Sequence, residues 1–320
     1  MAYRFNPRHL LDANLRRIAG EQIEKAIRDL TDREGDRHEG IHEARKRLKK
    51  LRGLLRLVRT GAPAFARNEN VRYRDAARHL SGVRDRTALI EALDGLQERF
   101  RDEVETQSFA VVRTALELKR EAAQEALGDG TDHLSQTLSA LEEAKGAAEA
   151  FRLPAKRQDA ILRRGLRANY ARAVGDLDTA LSTGESEAFH DLRKRVKYLS
   201  MHFKLLEPAW PEALAPLREE AEQAAEELGR DHDYAVLRAE MAAEPQSFGA
   251  RADLDVVLAL LDRHQSELRA SAIRRCERLL AESPKAFAKR IQSLLALSAD
   301  EPNGAAPPEP PEAERRRAEV

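Results

Sequence analysis

Two runs of basic residues in this chain have the types and spacing that bind phosphate groups. The stretch "IHEARKRLKKLRGLLRLVR", residues 41–59, carries eight Lys or Arg residues from Arg45 to Arg59 and no acid between them. Arginine offers a forked pair of N–H donors, lysine offers a compact charge, and histidine adds a donor that strengthens on protonation. The whole chain has 55 basic and 55 acidic residues, so this run is a local concentration of charge.

Helical spacing places these cations on one side of a helix, because residues i, i+3, i+4 and i+7 share a face. One face carries His42, Arg45, Lys46, Lys49, Arg52 and Arg56, and the opposite face carries Ala44, Leu48, Leu51, Leu55 and Val58. Arg47 and Lys50 point away from this face, as Arg195 does in the second copy of the run described below. Like charges four residues apart destabilise a helix by about 0.2–0.5 kcal/mol per pair. Pairs such as Arg45–Lys49 therefore predict neutralisation by acids of other helices or by a bound anion.

The basic run occurs twice. A shift of 148 residues, without gaps, brings the first run onto "HDLRKRVKYLSMHFKLL", which starts at His190. The second basic stripe is His190, Arg193, Lys194, Lys197 and Lys204, opposite an apolar stripe of Leu192, Val196, Leu199, Phe203 and Leu206. The same shift aligns a second motif, placing Leu80 on Leu228, Asp85 on Asp233 and Leu89 on Leu237. Repeated helical units predict two similar bundles related by a pseudo-twofold axis, with the basic helices facing a shared space.

The rest of the sequence predicts helices that could hold these runs. Charged residues make up 34% of the chain and aromatic residues only 5%, a composition typical of amphipathic helices, and strand-like alternation is scarce. Pro and Gly punctuation predicts helices over about 6–30, 69–81, 87–127 and 132–150, then a restart after Pro154 and a final region from about 251 to 297 with a break at Pro284. The Pro-rich segment 301–320 is predicted to be disordered.

Location and redox chemistry follow from what the sequence lacks. It has one cysteine, Cys276, no long apolar N-terminal core and no run of about 20 apolar residues. These features predict a cytoplasmic protein without disulfides or membrane association.

Three weaker sequence patterns are interpreted as structural rather than functional. The segment "EVETQ" at 103–107 lacks the lysine of a triphosphate-hydrolase motif. Asp85 and Asp233 are interpreted as ion-pair or capping partners of the basic helices rather than metal ligands. Cys276 is interpreted as a core residue.

The two duplicated motifs resemble those of the CHAD family, the conserved-histidine α-helical domain. "HEARKRLKKLRGLLRLVR" and "HDLRKRVKYLSMHFKLL" resemble its paired basic signature, and "LSGVRDRTALIEAL" and "LGRDHDYAVLRAEM" resemble its second repeated motif. The resemblance covers about residues 6–297. It implies an all-α fold of two helical bundles with internal pseudo-twofold symmetry and a basic groove or cavity between them. The CHAD domain is predicted at 1–300, with the first repeat at about 6–150 and the second at about 155–299.

The resemblance also implies a function, namely binding of inorganic polyphosphate and association with polyphosphate granules and their proteins. The implied binding residues are the two basic stripes, and the copies differ because Tyr198 replaces Lys50 and Ser200 replaces Arg52. No cofactor, metal or catalytic residue is predicted. Two alternatives remain open at this point: binding of nucleic acid or another polyanion, which the neutral net charge and few aromatic residues disfavour, and hydrolysis of phosphoanhydrides. Simple pairing of the stripes with acids, for example from "REEAEQAAEEL" at 218–228, is the structural alternative.

Overall fold

A computed structural model of the chain describes residues 3–32, 35–80, 84–103, 107–126 and 131–300. Within these residues the chain is all-α and has no strand. The helices are α1 (Leu11–Thr31), α2 (Arg37–Val58), α3 (Pro63–His79), α4 (Arg84–Arg99), α5 (Gln107–Ala126), α6 (Thr131–Glu149), α7 (Gln158–Thr183), α8 (Ser186–Leu206), α9 (Pro211–Ala243), α10 (Arg251–Leu279) and α11 (Pro284–Asp300). The predicted fold class is confirmed. The predicted disordered tail at 301–320 lies outside the described residues.

Helix boundaries follow ordinary capping chemistry. The Asp36 side chain accepts a hydrogen bond from the His38 backbone N–H at 2.9 Å and caps α2, which carries the first basic run. Pro63, Pro211 and Pro284 stand at the first position of their helices, where no donor is lost. Gly184 ends α7 in a left-handed conformation, with φ of 67°. The break predicted at Pro284 is confirmed, because α10 ends at Leu279 and α11 begins at Pro284.

The predicted single helix over 87–127 is wrong, because the chain turns between α4 and α5. The Phe100 N–H bonds back to Leu96 and Gln97, and the Glu103 N–H bonds back to Phe100, so the helix ends in a tight turn. The two helices then pack against each other and bury Phe100 and Phe109 in a common core. No proline or glycine lies between Leu96 and Ala110 to mark the turn, and burial of both aromatic rings in that core explains it.

Two apolar cores hold the helices together. The larger core draws on both halves of the chain, with residues from α1, α2, α3 and α6 meeting residues from α7, α8, α9 and α11. The smaller core joins α4 and α5 to the end of α9 and the first part of α10. The halves are not identical, since α9 runs unbroken through the segment that corresponds to the junction between α3 and α4. Burial across both repeats makes them one packed unit rather than two independent bundles.

The two basic helices cross each other within this unit. A Cβ added to Gly53 of α2 would lie only 3.0 Å from Sδ of Met201 on α8, so side chains of α8 pack directly against α2 there. The His202 ring nitrogen Nε2 lies 3.0 Å from the Gly53 carbonyl oxygen and fixes the crossing. Gly53 and Met201 are matching positions of the two repeats under the 148-residue shift. This contact agrees with a local twofold relation, whereas the symmetry of the whole chain stays a prediction.

Candidate functional site

The basic face, defined as the two predicted cationic stripes on α2 and α8, is positioned by the apolar stripes behind it. Every residue of the predicted apolar stripes is buried. Lys46, Lys49, Lys194 and Lys197 are exposed, whereas the arginines and histidines of the stripes are half-buried. The amphipathic division predicted from helical spacing is therefore confirmed on both helices, and the cations stand on the side away from the core.

The stripes meet where the helices cross. The Arg56 guanidinium from the C-terminal half of α2 lies over the ring of Tyr198 on α8, with 3.8 Å between the guanidinium carbon and the ring centroid. Tyr198 is next to Lys197 in the chain but matches Lys50, outside the stripe, so this contact brings the end of the first stripe to the edge of the second. On the other side of the crossing, Lys204 of α8 lies close enough to Lys50 of α2 to influence its charge. Under the 148-residue shift, position 56 matches 204 and position 50 matches 198, so the two contacts are equivalent in the two repeats.

The second repeated motif borders the basic face in each half. In the first half, Arg45 Nη1 donates to the Leu80 carbonyl at the end of α3, at 3.2 Å. In the second half, the Arg193 guanidinium lies against Gly229 of α9, where an added Cβ would be 3.2 Å from Nη2. Arg45 and Arg193 are matching positions, as are the segments they contact. The second motif therefore holds the first long cation of each stripe in place.

Acids from neighbouring helices pair mainly with cations outside the basic face. Arg47 pairs with Asp29 of α1 at 3.3 Å, and Arg195 pairs with Asp176 of α7 at 2.7 Å. Both arginines were predicted to point away from the stripes, and the structure confirms this. Within the face, Lys46 lies 2.5 Å from Glu43 and Lys194 lies 2.7 Å from Asp191, so the exposed lysine at this repeated position has an acid one turn earlier.

The acidic segment 218–228 does not neutralise α8. Glu219 and Glu222 pair with Arg218 of their own helix, and Glu220 and Glu227 pair with Arg275 of α10. Among the described residues, no carboxylate oxygen lies within 4.0 Å of a charged nitrogen of five cations of the basic face. These five are Arg52, Arg56, Arg193, Lys197 and Lys204. Pairing with this acidic segment therefore cannot account for the charge of the second stripe.

Arg56 is crowded by other cations. Burial lowers the pKa of the Arg56 guanidinium, and Arg195 and Arg52 act in the same direction. Its Nε atom is buried and has no hydrogen-bond partner among the described residues. Arg52 donates from Nε to the Asn70 side-chain oxygen on α3 at 3.1 Å, which is a neutral acceptor that leaves the positive charge uncompensated. A phosphate oxygen would supply the missing negative charge at this end of the crossing.

Lys50 lies at the other end of the crossing, where it is also partly buried near other positive charges. Burial, followed by the positive charges of Arg47 and Lys204, lowers the pKa of its amine to about 8, and Glu43 offsets only part of this effect. The Lys50 Nζ lies 5.9 Å from the centre of the Tyr3 ring. Tyr198 occupies the matching position in the second repeat, so the two ends of the crossing differ chemically.

The lowered pKa of Lys50 should make the free energy of unfolding depend on pH. The folded-state pKa of Lys50, about 8, lies below its ordinary value of 10.5, so protonation opposes folding and the penalty is complete below about pH 8. We expect Lys50→Met to raise the free energy of unfolding at neutral pH by about 1–2 kcal/mol, after allowance for partial exposure. The gain should shrink as pH rises from 8 toward 10.5. Urea unfolding of both proteins across this range measures it, and a gain independent of pH would contradict the assignment.

Asp231 is the buried acid of the second motif, and sequence reasoning missed it. It is only 1% exposed and pairs with Arg269 of α10 at 2.5 Å. Burial raises the pKa of the Asp231 carboxyl, while Arg269 and Arg193 work in the opposite direction. The predicted partners were Asp85 and Asp233. The side chain of Asp85 lies outside the described residues, and Asp233 is half-buried beside Asp231 in the chain. The pattern "RDHD" contained the signal, but it did not distinguish its two acids.

Other candidate chemistry finds no support in the described part of the chain. No cluster of three or more His, Cys, Asp or Glu side chains there could hold a metal ion. Glu103 of the "EVETQ" segment pairs with Arg263 at 2.6 Å, and residues 104–106 lie outside the described residues. Cys276 is buried in the larger core and burial raises the pKa of its thiol to about 12, as expected of a core residue. The helices described here include none that is both long and apolar enough to cross a membrane.

Comparison with known proteins gives one family and one fold. The family model for the CHAD domain matches residues 17–242. No curated protein sequence matches the chain. Among solved structures, the crystal structure of the CHAD domain from the plant Ricinus communis is similar, with a TM-score of 0.54 and 18% sequence identity over 88% of this chain and 95% of that chain. At this identity the likeness concerns the fold alone.

Proposed function

The chain belongs to the CHAD domain family, and from that premise we propose that it binds inorganic polyphosphate on the basic face of α2 and α8. Binding is the whole of the proposed activity, and the protein holds the polymer without cleaving it. In the cell, this binding would serve polyphosphate handling or targeting to polyphosphate granules. The family's association with polyphosphate supports the proposal, and the geometry of the crossing supports it independently.

The observation that carries the proposal is the crossing of the two helices that hold the stripes, five of whose cations have no described carboxylate oxygen within 4.0 Å of their charged nitrogens. Arg56 reaches Tyr198, and both Arg193 and Lys197 lie farther along α8 without an ion pair to any described carboxylate. A flexible polyanion with about one charge per phosphate could follow such a row and accept charge-assisted hydrogen bonds along it. A compact anion would engage only one end of the row. The length of the row therefore favours a polymer.

Salt dependence tests the electrostatic part of the proposal. Binding should release counterions, so the logarithm of the binding constant should fall linearly with the logarithm of salt concentration. If about six phosphates are contacted, the slope should be about −4. Isothermal titration calorimetry with polyphosphate at several salt concentrations gives this value. A flat salt dependence would contradict binding on the basic face.

Competition separates polyphosphate from nucleic acid. The chain has equal numbers of acidic and basic residues and few aromatic rings for base stacking. Labelled polyphosphate bound to the protein should therefore remain bound in excess duplex DNA or RNA at physiological salt. Displacement by either nucleic acid at equal phosphate concentration would favour a general polyanion-binding protein.

A hydrolysis assay tests the non-catalytic part of the proposal. Incubation of the protein with polyphosphate and Mg²⁺ or Mn²⁺ should release no phosphate, and turnover would overturn this part.

A further inference from the structure

His232 brings a second imidazole to the basic face in the second half of the chain only. Its ring stacks on that of His190, with 3.9 Å between centroids and 25° between planes. His190 is the first residue of the second stripe, whereas His232 lies on α9 within the second motif. The matching position in the first repeat is Arg84, so the sequence does not duplicate this pair. Both rings are half-buried, and Nδ1 of His190 has no hydrogen-bond partner among the described residues.

The surroundings of this imidazole pair disfavour its protonation. Burial lowers the pKa of His232 to about 4, with His190, Arg193 and Lys194 acting in the same direction. Burial and the same two cations also lower the pKa of His190, against the weaker pull of Glu187 and Asp191. Asp191 is held by Lys194, and on α9 and α10 the nearby Asp231 is held by Arg269. Arg230 and Asp233 flank the pair on α9 itself. Asp191 and Asp231 are therefore committed to other cations, and Glu187 only partly offsets the positive charge around the pair.

A phosphate group bound beside Arg193 and Lys194 would favour protonation of the histidine pair. Its negative charge offsets the two cations that oppose protonation, and a protonated imidazole gains a charge-assisted hydrogen bond to a phosphate oxygen. A second proton on the stacked partner would place two like charges about 4 Å apart, which is strongly unfavourable. The pair as a unit can therefore accept one proton readily and a second only with difficulty.

We propose that His190 and His232 form a proton-accepting contact, so that phosphate binding in the second half of the basic face is coupled to uptake of about one proton. This inference rests on the proposed polyphosphate binding and assigns His232 to the site. Because the bound state holds the proton more tightly than the free state, affinity rises as pH falls toward the ordinary histidine range. In the first half the position that matches His232 is Arg84, whose charge is permanent, so this half does not repeat the proposed contact.

Calorimetry tests the coupling directly. Polyphosphate is titrated into the protein at about pH 6.5, the ordinary histidine pKa, in two buffers with different ionisation enthalpies. The difference between the two heats gives the number of protons taken up. We expect His232→Gln to lower that number by about one-half to one relative to the wild-type protein. His9→Gln, which removes an exposed histidine ahead of α1, is the matched control and should leave proton uptake unchanged.

His232→Arg provides a second variant that copies the first repeat. It should retain polyphosphate affinity at alkaline pH through its permanent charge and lose the extra affinity at lower pH. Equal proton uptake by wild-type protein and both His232 variants, with binding intact, overturns the inference and leaves the proposed function standing. Failure of the wild-type protein to bind polyphosphate at any pH overturns both. Circular dichroism of each variant establishes that it is folded before its uptake is compared.

Discussion

Replacing both Lys49 and Lys197 by Glu should weaken polyphosphate binding by roughly 100-fold, equivalent to about 2.7 kcal/mol at physiological salt. The two lysines are exposed and occupy matching positions of the two stripes. Each substitution removes one cation and introduces one anion, so the local charge changes by four units in total. The introduced carboxylates also repel the polymer directly. Calorimetric titration with long-chain polyphosphate measures the loss.

The matched control is Lys285→Glu combined with Lys289→Glu. Both residues are exposed on α11, which packs against α7, and the double substitution changes the net charge of the protein by the same amount. If the polymer binds the basic face, this control should stay within about threefold of the wild-type affinity, because its charges lie outside that face and exposed charges are screened by salt. An equal loss in both double variants would show that only net charge matters, and the assignment of the site would fail.

The stripes themselves could be predicted because they depend only on helical spacing. An apolar stripe of Leu192, Val196 and Leu199 must face the core, and the geometry of the helix then turns Arg193 and Lys197 outward. Arg47 and Arg195 were placed off the stripes by the same reasoning, and their ion pairs with α1 and α7 agree with it. Helical periodicity is therefore enough to predict which side chains of α2 and α8 face away from the core.

The contacts between the repeats required the structure, because they depend on how the two helices cross. Gly53 offered a signal, since it interrupts the basic face of α2 at a position where helical spacing would continue the row. A position without a side chain on a charged face indicates close approach of a neighbouring helix, and the Met201 and Tyr198 side chains of α8 pack against it. The role of Asp231 was similarly hidden, because both acids of "RDHD" lie within a turn of each other and only packing against α10 selects one.

The prediction with the largest effect on folding concerns Gly165, where α7 packs against α2. A Cβ at this position would lie 2.3 Å from the Leu57 carbonyl oxygen and 2.8 Å from its Cα, and backbone atoms of a buried helix cannot yield as a flexible side chain can. We expect Gly165→Val to lower the free energy of unfolding by about 3 kcal/mol or more. Urea unfolding followed by circular dichroism measures the change.

Gly175→Val on the same helix separates this clash from the general effect of valine. Gly175 is exposed, and a Cβ there would meet no atom within 4 Å. The helix propensities of Gly and Val differ by less than about 0.5 kcal/mol, so the control should remain close to wild-type stability. Equal urea midpoints for the two variants would contradict the close packing of α7 on α2. Leu57 follows Arg56 on α2, so a shift of α2 that relieves the clash would also move Arg52 and Arg56, and Gly165→Val should then lose polyphosphate affinity while it remains folded.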